Sequence, residues 1–177
     1  GGELFKEKNK EALSLARSRE ELGRIVGEAT ARAAATKQQM RERAAEAVRI
    51  MADAGVGPAD FTGKSRSFAH YFLTVAAGEL KPYTATVGKM SLTTEGWAPK
   101  GSPAAPLAAR LQPLLREMCD LYDANVRSWN TCDLLRENYR SFALLSDLYA
   151  KVQQLCDEQN MMLLSETKYI LSEFIGH

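Results

Sequence analysis

The sequence has little of the side-chain chemistry from which catalytic and metal sites are built. Histidine occurs twice, as His70 and His177, and cysteine occurs three times in 177 residues. Cys119, Cys132 and Cys156 are widely spaced and form no CxxC pair. A zinc site or a cysteine–histidine dyad therefore lacks partners, and we assign no catalytic residue and no metal ligand. The three cysteines are interpreted as small buried hydrophobic residues on helices.

Long apolar runs are missing too. No stretch approaches the ~18 apolar residues that a membrane helix needs, and the N-terminal residues do not resemble a signal peptide. We therefore expect a cytoplasmic protein without a membrane partner. Hydrophobic residues nevertheless make up 45% of the chain, which is enough to form a core.

Strict alternation of apolar and polar residues, the pattern of a half-buried strand, is also absent. Apolar residues instead recur every three or four positions, as on one face of a helix. A first helix is predicted over 3–16, and Ser18 with Glu21 forms the capping-box pattern that starts a second helix over 20–54. One side of the first helix carries Leu4, Phe5, Lys8, Ala12 and Leu15. The inward side of the second comprises Leu22, Ile25, Val26, Ala29, Ala33, Met40, Ala44, Ala47, Val48 and Met51.

Two more apolar stripes follow in the C-terminal half. The first consists of Leu107, Leu111, Leu114, Met118, Leu121 and Val126. The second consists of Cys132, Leu135, Tyr139, Phe142, Leu145, Tyr149, Val152 and Cys156. A turn over 125–130 would fold them into an antiparallel hairpin, with Leu114, Met118 and Leu121 facing Phe142, Leu145 and Tyr149. Pro113 is expected to kink the first of these helices, and Ser165 to cap a short terminal helix.

The sequence thus predicts an all-α fold of long helices with a C-terminal hairpin, arranged as two closely packed lobes. Residues 1–92 form the N-terminal lobe, with a long alanine-rich helix and a basic loop. Residues 93–103, rich in glycine and proline, form an irregular connection. Residues 104–177 form the hairpin and a short terminal helix. Trp97 is interpreted as filling a gap between the lobes, and base stacking is its alternative role.

The segment 58–65, PADFTGKS, is close to the phosphate-loop pattern GxxxxGK[ST], but Pro58 replaces the first glycine. An alanine-rich helix also precedes it, where a nucleotide site needs a buried strand. We therefore do not expect this segment to bind ATP.

The same loop is a candidate for contact with DNA phosphates. Lys64, Ser65, Arg66 and Ser67 combine cations and hydroxyl groups, and a helix is expected to begin at Ser67 and Phe68, with its backbone N–H groups directed at the same place. Residues 61–110 carry six basic and two acidic side chains. On the long helix, Arg32, Lys37 and Arg41 lie furthest from acidic residues and are further candidates. The alternative for the loop is a solvated basic turn, and for the helix a face of compensating charges.

The residues 138–176, NYRSFALLSDLYAKVQQLCDEQNMMLLSETKYILSEFIG, resemble the end of a helical insertion in one family. It is the insertion in the first RecA-like motor domain of UvrD/RecB/AddA-like ATP-dependent helicase-nucleases, especially the exonuclease V beta relatives. In that family a leucine, serine, acid, threonine pattern, here Leu164 to Thr167, follows a long helix and precedes the strand with the Mg-binding acidic motif. The resemblance is good over about the last 45 residues and weaker around 61–80.

The resemblance implies a role in DNA repair and recombination. The insertion would hold duplex DNA ahead of the fork without reading its sequence, and would have no catalysis or cofactor of its own. ATP and Mg²⁺ would bind elsewhere in the parent chain, whose remaining motor domains would be partners, together with a nuclease subunit where one exists. A helical protein–protein interaction module is the main alternative. A third hypothesis is a small enzyme, but the sequence contains no pair of residues that could act as nucleophile and base.

Overall fold

The structure, a computed structural model, describes residues 2–175, without the side chains of Leu4, Phe5 and Lys8. The predicted roles of those three side chains and of His177 lie outside the described residues. Residues 2–175 form four α-helices: α1 over Gly2–Asp53, α2 over His70–Ala76, α3 over Ala85–Met90 and α4 over Ala108–Ile175. Three short 3₁₀ turns accompany them, at Pro58–Asp60, Lys64–Arg66 and Ala105–Leu107. Residues 2–175 contain no strand, so the predicted all-α class is confirmed.

The chain divides into two compact units. The central unit is Ala29–Cys132, and the terminal unit joins the residues up to Glu28 with those from Asp133 onward. Helices α1 and α4 each contribute to both. The predicted connection over 93–103 therefore lies inside the central unit, and the observed divisions fall at 28/29 and 132/133.

Helix α1 runs without interruption from Gly2 to Asp53. The predicted break at Ser18 is wrong, because nothing there ends the helix: α1 contains no proline, and its residues favour helix. The end after Asp53 is as predicted. Gly55 adopts a φ of 65°, in the left-handed region open to glycine, and Val56 donates its backbone N–H to the Met51 carbonyl.

Within the central unit, α1 and α4 run antiparallel. The Trp129 indole donates to Thr36 at 2.8 Å, and Arg43 pairs with Glu117 at 3.2 Å. The small residues Ala44 and Ala47 of α1 are fully buried, which permits the close helix approach that was predicted. Most of the predicted inward face is buried or half-buried, but Ile25 is 40% exposed.

An aromatic cluster fills the space beside these helices. Phe61, Phe68, Phe72 and Trp97 pack with ring centroids 4.5–6.4 Å apart. Trp97 is 1% exposed and its indole donates to the carbonyls of Met90 and Thr93. The irregular segment over 93–103 is thus held by a core tryptophan.

Helix α4 is a single helix of 68 residues, and the predicted hairpin turn over 125–130 is wrong. Residues 114–175 contain neither proline nor glycine, so no local feature ends the helix. Asn125 donates its side-chain amide to the Leu121 carbonyl one turn earlier, as a residue inside a helix does. Pro113 lies inside the helix, close to its start. The predicted cap at Ser165 is wrong for the same reason, and the partner of α4 is α1.

In the terminal unit, α1 and α4 again pair antiparallel. Arg19 forms an ion pair with Asp147 at 2.6 Å, and Tyr139 packs against Gly23. The predicted apolar stripe of α4 holds only at its start. Leu145, Val152 and Cys156 are exposed, whereas Ser146 is buried. From residue 154 to 175 every residue of α4 is exposed.

Candidate nucleic-acid interface

Positive charge is concentrated in the central unit. Residues 29–132 carry 13 basic and 9 acidic side chains, a net charge of +4. The remainder of the sequence carries 10 basic and 13 acidic side chains, a net charge of −3. A polyanion is therefore attracted to the central unit in preference to the terminal one.

The basic loop presents its cations to solvent. Gly63 has a φ of 91° and Lys64 a φ of 50°, so the 3₁₀ turn over Lys64–Arg66 begins with two residues in the left-handed region. Lys64, Ser65 and Arg66 are all exposed. Lys64 and Arg66 form no ion pair with any residue that the structure describes. Both cations are therefore available to a phosphate group.

Ser67 is buried, and its hydroxyl and backbone N–H both donate within the fold. Its side chain is 5% exposed, and its hydroxyl donates to the Pro58 carbonyl at 2.6 Å. Its backbone N–H donates to the Lys64 carbonyl at 3.1 Å. Helix α2 begins only at His70. The predicted helix start at Ser67 is therefore wrong. The phosphate contact through Ser67 stays a prediction, and it would require the hydroxyl and the backbone N–H to leave the partners that they have in the fold.

The three candidates on α1 differ in accessibility. Arg32 and Arg41 are exposed, whereas Lys37 is half-buried with its ammonium 5.9 Å from the centroid of the Trp129 ring. Over the described part of the chain none of the three forms an ion pair. Lys37 and Arg41 lie one turn apart on the helix. Arg24, by contrast, is compensated by Glu21 and Glu28, as the alternative predicted for this helix requires.

A cavity of about 440 Å³ lies beside the basic loop, and the sequence did not predict it. Arg66, His70 and Lys81 contribute basic groups to its lining, and Tyr71 and Tyr83 contribute rings. The one sequence feature that could have indicated this cavity is the segment 81–84, KPYT, which places a cation, an aromatic ring and a hydroxyl group in one short loop. Without the fold, nothing brings that loop to the turn over 64–66.

Tyr83 is held at this cavity by a carboxylate. Its hydroxyl donates to Asp123, with both carboxylate oxygens 2.8 Å away. This hydrogen bond, with smaller contributions from burial and the charge of Asp123, raises the pKa of Tyr83 to about 12. The phenol is therefore neutral at physiological pH, and its ring is fixed in orientation.

We expect alkaline pH to weaken the fold partly through Tyr83. Because its folded pKa lies above the ordinary value of about 10, this contribution to stability is complete below pH ~10 and is lost as pH rises toward 12. Urea unfolding of wild type and Tyr83→Phe at pH 9 and 11 measures it, with Tyr169→Phe as control. The Tyr83 variant should lose less stability between the two pH values than wild type. Equal losses would contradict the role of the hydrogen bond.

Tyr71 is more deeply placed. It is 9% exposed, burial raises the pKa of its phenol, and its hydroxyl has no hydrogen-bond partner among the described residues. Its ring starts an edge-to-face row that continues through Tyr83 and Tyr122 to Trp129, with centroids 5.7–6.4 Å apart. The row therefore extends from the cavity to Trp129, the ring over which the Lys37 ammonium lies.

The other sequence motifs have structural roles or none. Residues 58–60 ahead of Gly63-Lys64-Ser65 form a 3₁₀ turn, where a phosphate loop would follow a strand. Trp97 is buried in the aromatic cluster and presents no face to a base. Cys119 and Cys132 are buried as predicted, but Cys156 is exposed, which corrects that prediction. Among the residues described, no group of three or more His, Cys, Asp or Glu side chains could hold a metal ion.

Comparison with known proteins returned no match to this chain among protein-family models, curated proteins or solved structures. No helix within residues 2–175 combines the length and the apolar character needed to cross a membrane.

Proposed function

We propose that this chain is a helical insertion of a UvrD/RecB/AddA-like ATP-dependent DNA helicase, and that it holds duplex DNA without reading its sequence. The observation that carries the proposal is the pair of exposed cations Lys64 and Arg66 on one tight turn, neither joined to an acidic residue in the described structure. Charges in this state contact phosphate oxygens without first breaking an internal ion pair.

The charge of the unit that carries this turn supports the proposal. A net charge of +4 on residues 29–132 attracts DNA whatever its base sequence. Arg32 and Arg41 add exposed cations on α1, and Lys37 adds a half-buried one. Backbone contacts of this kind position a duplex, which is the task of an insertion that works ahead of a fork.

The far end of α4 supports the link to a larger motor. Met161, Met162, Leu163 and Leu164 lie in the segment that resembles the helicase family, and each is more than half exposed. Apolar patches of this kind mark surfaces that contact another protein surface. In the proposal, the remaining motor domains cover them, and ATP and Mg²⁺ bind in those domains, outside this chain.

The proposal is tested by reversing the charge of the turn. Lys64→Glu with Arg66→Glu should weaken binding of this chain to a blunt duplex to a similar degree for any sequence. Losing two phosphate contacts should also flatten the slope of log K against log salt concentration by about 1.8. Fluorescence anisotropy with two unrelated duplexes at several salt concentrations gives both quantities. Circular dichroism checks that the helices are retained.

A matched control carries the same charge change elsewhere in the central unit. Lys100→Glu with Arg110→Glu alters two exposed cations that lie outside the loop, and should lower affinity less. Equal effects of the two double variants would mean that only net charge matters. If wild type binds no duplex at low salt but binds a protein partner independently of salt, the interaction-module alternative replaces the proposal.

A further inference from the structure

Holding a duplex by its backbone does not require the cavity beside the basic loop. Phosphates of a duplex can be met by exposed cations on a turn, whereas this cavity is a recess of 440 Å³. That volume lies within the range of about 300–1,000 Å³ usual for small-molecule sites. In the proposed function, this recess adjoins the loop that contacts DNA. Its volume is large enough for a nucleotide that is not paired in the double helix.

The cavity presents basic side chains from three separate parts of the chain. Arg66 comes from the 3₁₀ turn, His70 from the start of α2, and Lys81 from the loop before α3. The described lining includes these three bases and no acid. His70 is anchored by its ring nitrogen to the Ser65 carbonyl at 3.0 Å. Lys81 pairs with Glu79 at 3.4 Å, both being well exposed, so a phosphate can compete for it.

The cavity also presents aromatic surface. Tyr83 is half-buried, and its hydroxyl is held by Asp123, so the ring does not need to be ordered when a ligand binds. Tyr71 packs edge-to-face against it at 6.4 Å. Cations beside a fixed aromatic ring are the combination with which proteins bind unpaired nucleotides, because bases stack on the ring while cations meet the phosphate.

We propose that this cavity binds a single unpaired nucleotide of a DNA strand at the end of a duplex. Its base packs against Tyr83, and its phosphate meets Arg66 and Lys81. A paired base remains stacked within the helix and does not enter. The proposal rests on the proposed function, since the basic loop brings the DNA, but it adds a preference for unpaired ends that backbone contacts alone do not give.

The test compares a blunt duplex with the same duplex carrying a one-nucleotide overhang, bound to the whole chain. Wild type should bind the overhang duplex at least about five-fold more tightly, the smallest effect expected of one stacked base. Thr86 is exposed and lines the cavity, so Thr86→Trp should obstruct it and abolish the preference. Lys81→Gln should reduce the preference. Thr94→Trp, the same change at an exposed position outside the cavity, should retain it.

Competition identifies what the cavity recognises. Deoxyadenosine monophosphate should remove the preference for the overhang, and inorganic phosphate at the same concentration should not. Equal competition by the two would overturn the assignment to a nucleotide.

The outcomes separate the two proposals. Tight binding of both duplexes with no preference overturns the cavity proposal and leaves the duplex grip intact. A preference that survives Thr86→Trp also overturns it. Failure to bind either duplex overturns both.

Discussion

Replacing Trp97 with alanine is expected to lower the free energy of unfolding of the central unit by about 3–5 kcal/mol. The side chain is 1% exposed and touches three other rings, so its removal leaves a cavity that Phe61, Phe68 and Phe72 line. The carbonyls of Met90 and Thr93 also lose their indole donor. Urea unfolding followed by far-UV circular dichroism measures the change.

Leu92→Ala is the control for this prediction. Leu92 is also apolar and lies five residues away, but it is 66% exposed, so its loss should change stability by no more than about 0.5 kcal/mol. Comparable losses from the two variants would contradict the placement of residues 93–103 in the core.

Asn130→Pro is expected to destabilise the chain by about 3 kcal/mol or more. Asn130 is exposed, so the effect arises from the backbone: proline removes one helical hydrogen bond and clashes with the carbonyl four residues earlier. The position lies inside the uninterrupted helix α4. Urea unfolding and the loss of helical ellipticity measure the effect.

Asn130→Ala removes the same side chain and keeps the backbone donor. It should be neutral within about 0.5 kcal/mol or slightly stabilising, since alanine favours helix. If proline were tolerated as well as alanine, a turn over 125–130 would fit better than a continuous α4.

The helical class and most buried faces could be predicted from spacing alone. Met40 and Ala44 lie one turn apart on α1, Leu111 and Met118 lie two turns apart on α4, and all four are fully buried. Helix ends could be predicted where a residue enforces them. Gly55, which takes a positive φ just after the end of α1, is such a residue.

The predicted helix breaks were wrong where a polar residue is compatible with a helix end but does not force the helix to end. Ser18 and Ser165 have the side chains of caps, yet both lie within continuous helices, because a cap stabilises an end that something else must create. On the terminal part of α4 buried and half-buried residues continue at alternating spacings of three and four, at positions 139, 142, 146, 149 and 153. Ser146 and Gln153 therefore lie on the inward side, where Leu145 and Val152 were predicted.

The candidate site was predictable in part. Lys64, Ser65 and Arg66 are adjacent in sequence, and their exposure follows from a turn rich in polar residues. Ser67 differs only in that its hydroxyl faces the Pro58 carbonyl, a contact nine residues back that no local pattern encodes. The cavity needs Lys81 and Tyr83 brought to the same place as Arg66, which depends on the path of the chain through α2.

The two ends of the central unit are neighbours. Thr30 and Cys132 stand 102 positions apart in sequence, yet their side chains meet at 3.7 Å. A module whose entry and exit coincide can be gained, lost or exchanged between genes without moving the helices that lead into it. Variation among relatives should therefore concentrate between residues 29 and 132 as whole-module replacement, while the flanking parts of α1 and α4 change together as a pair.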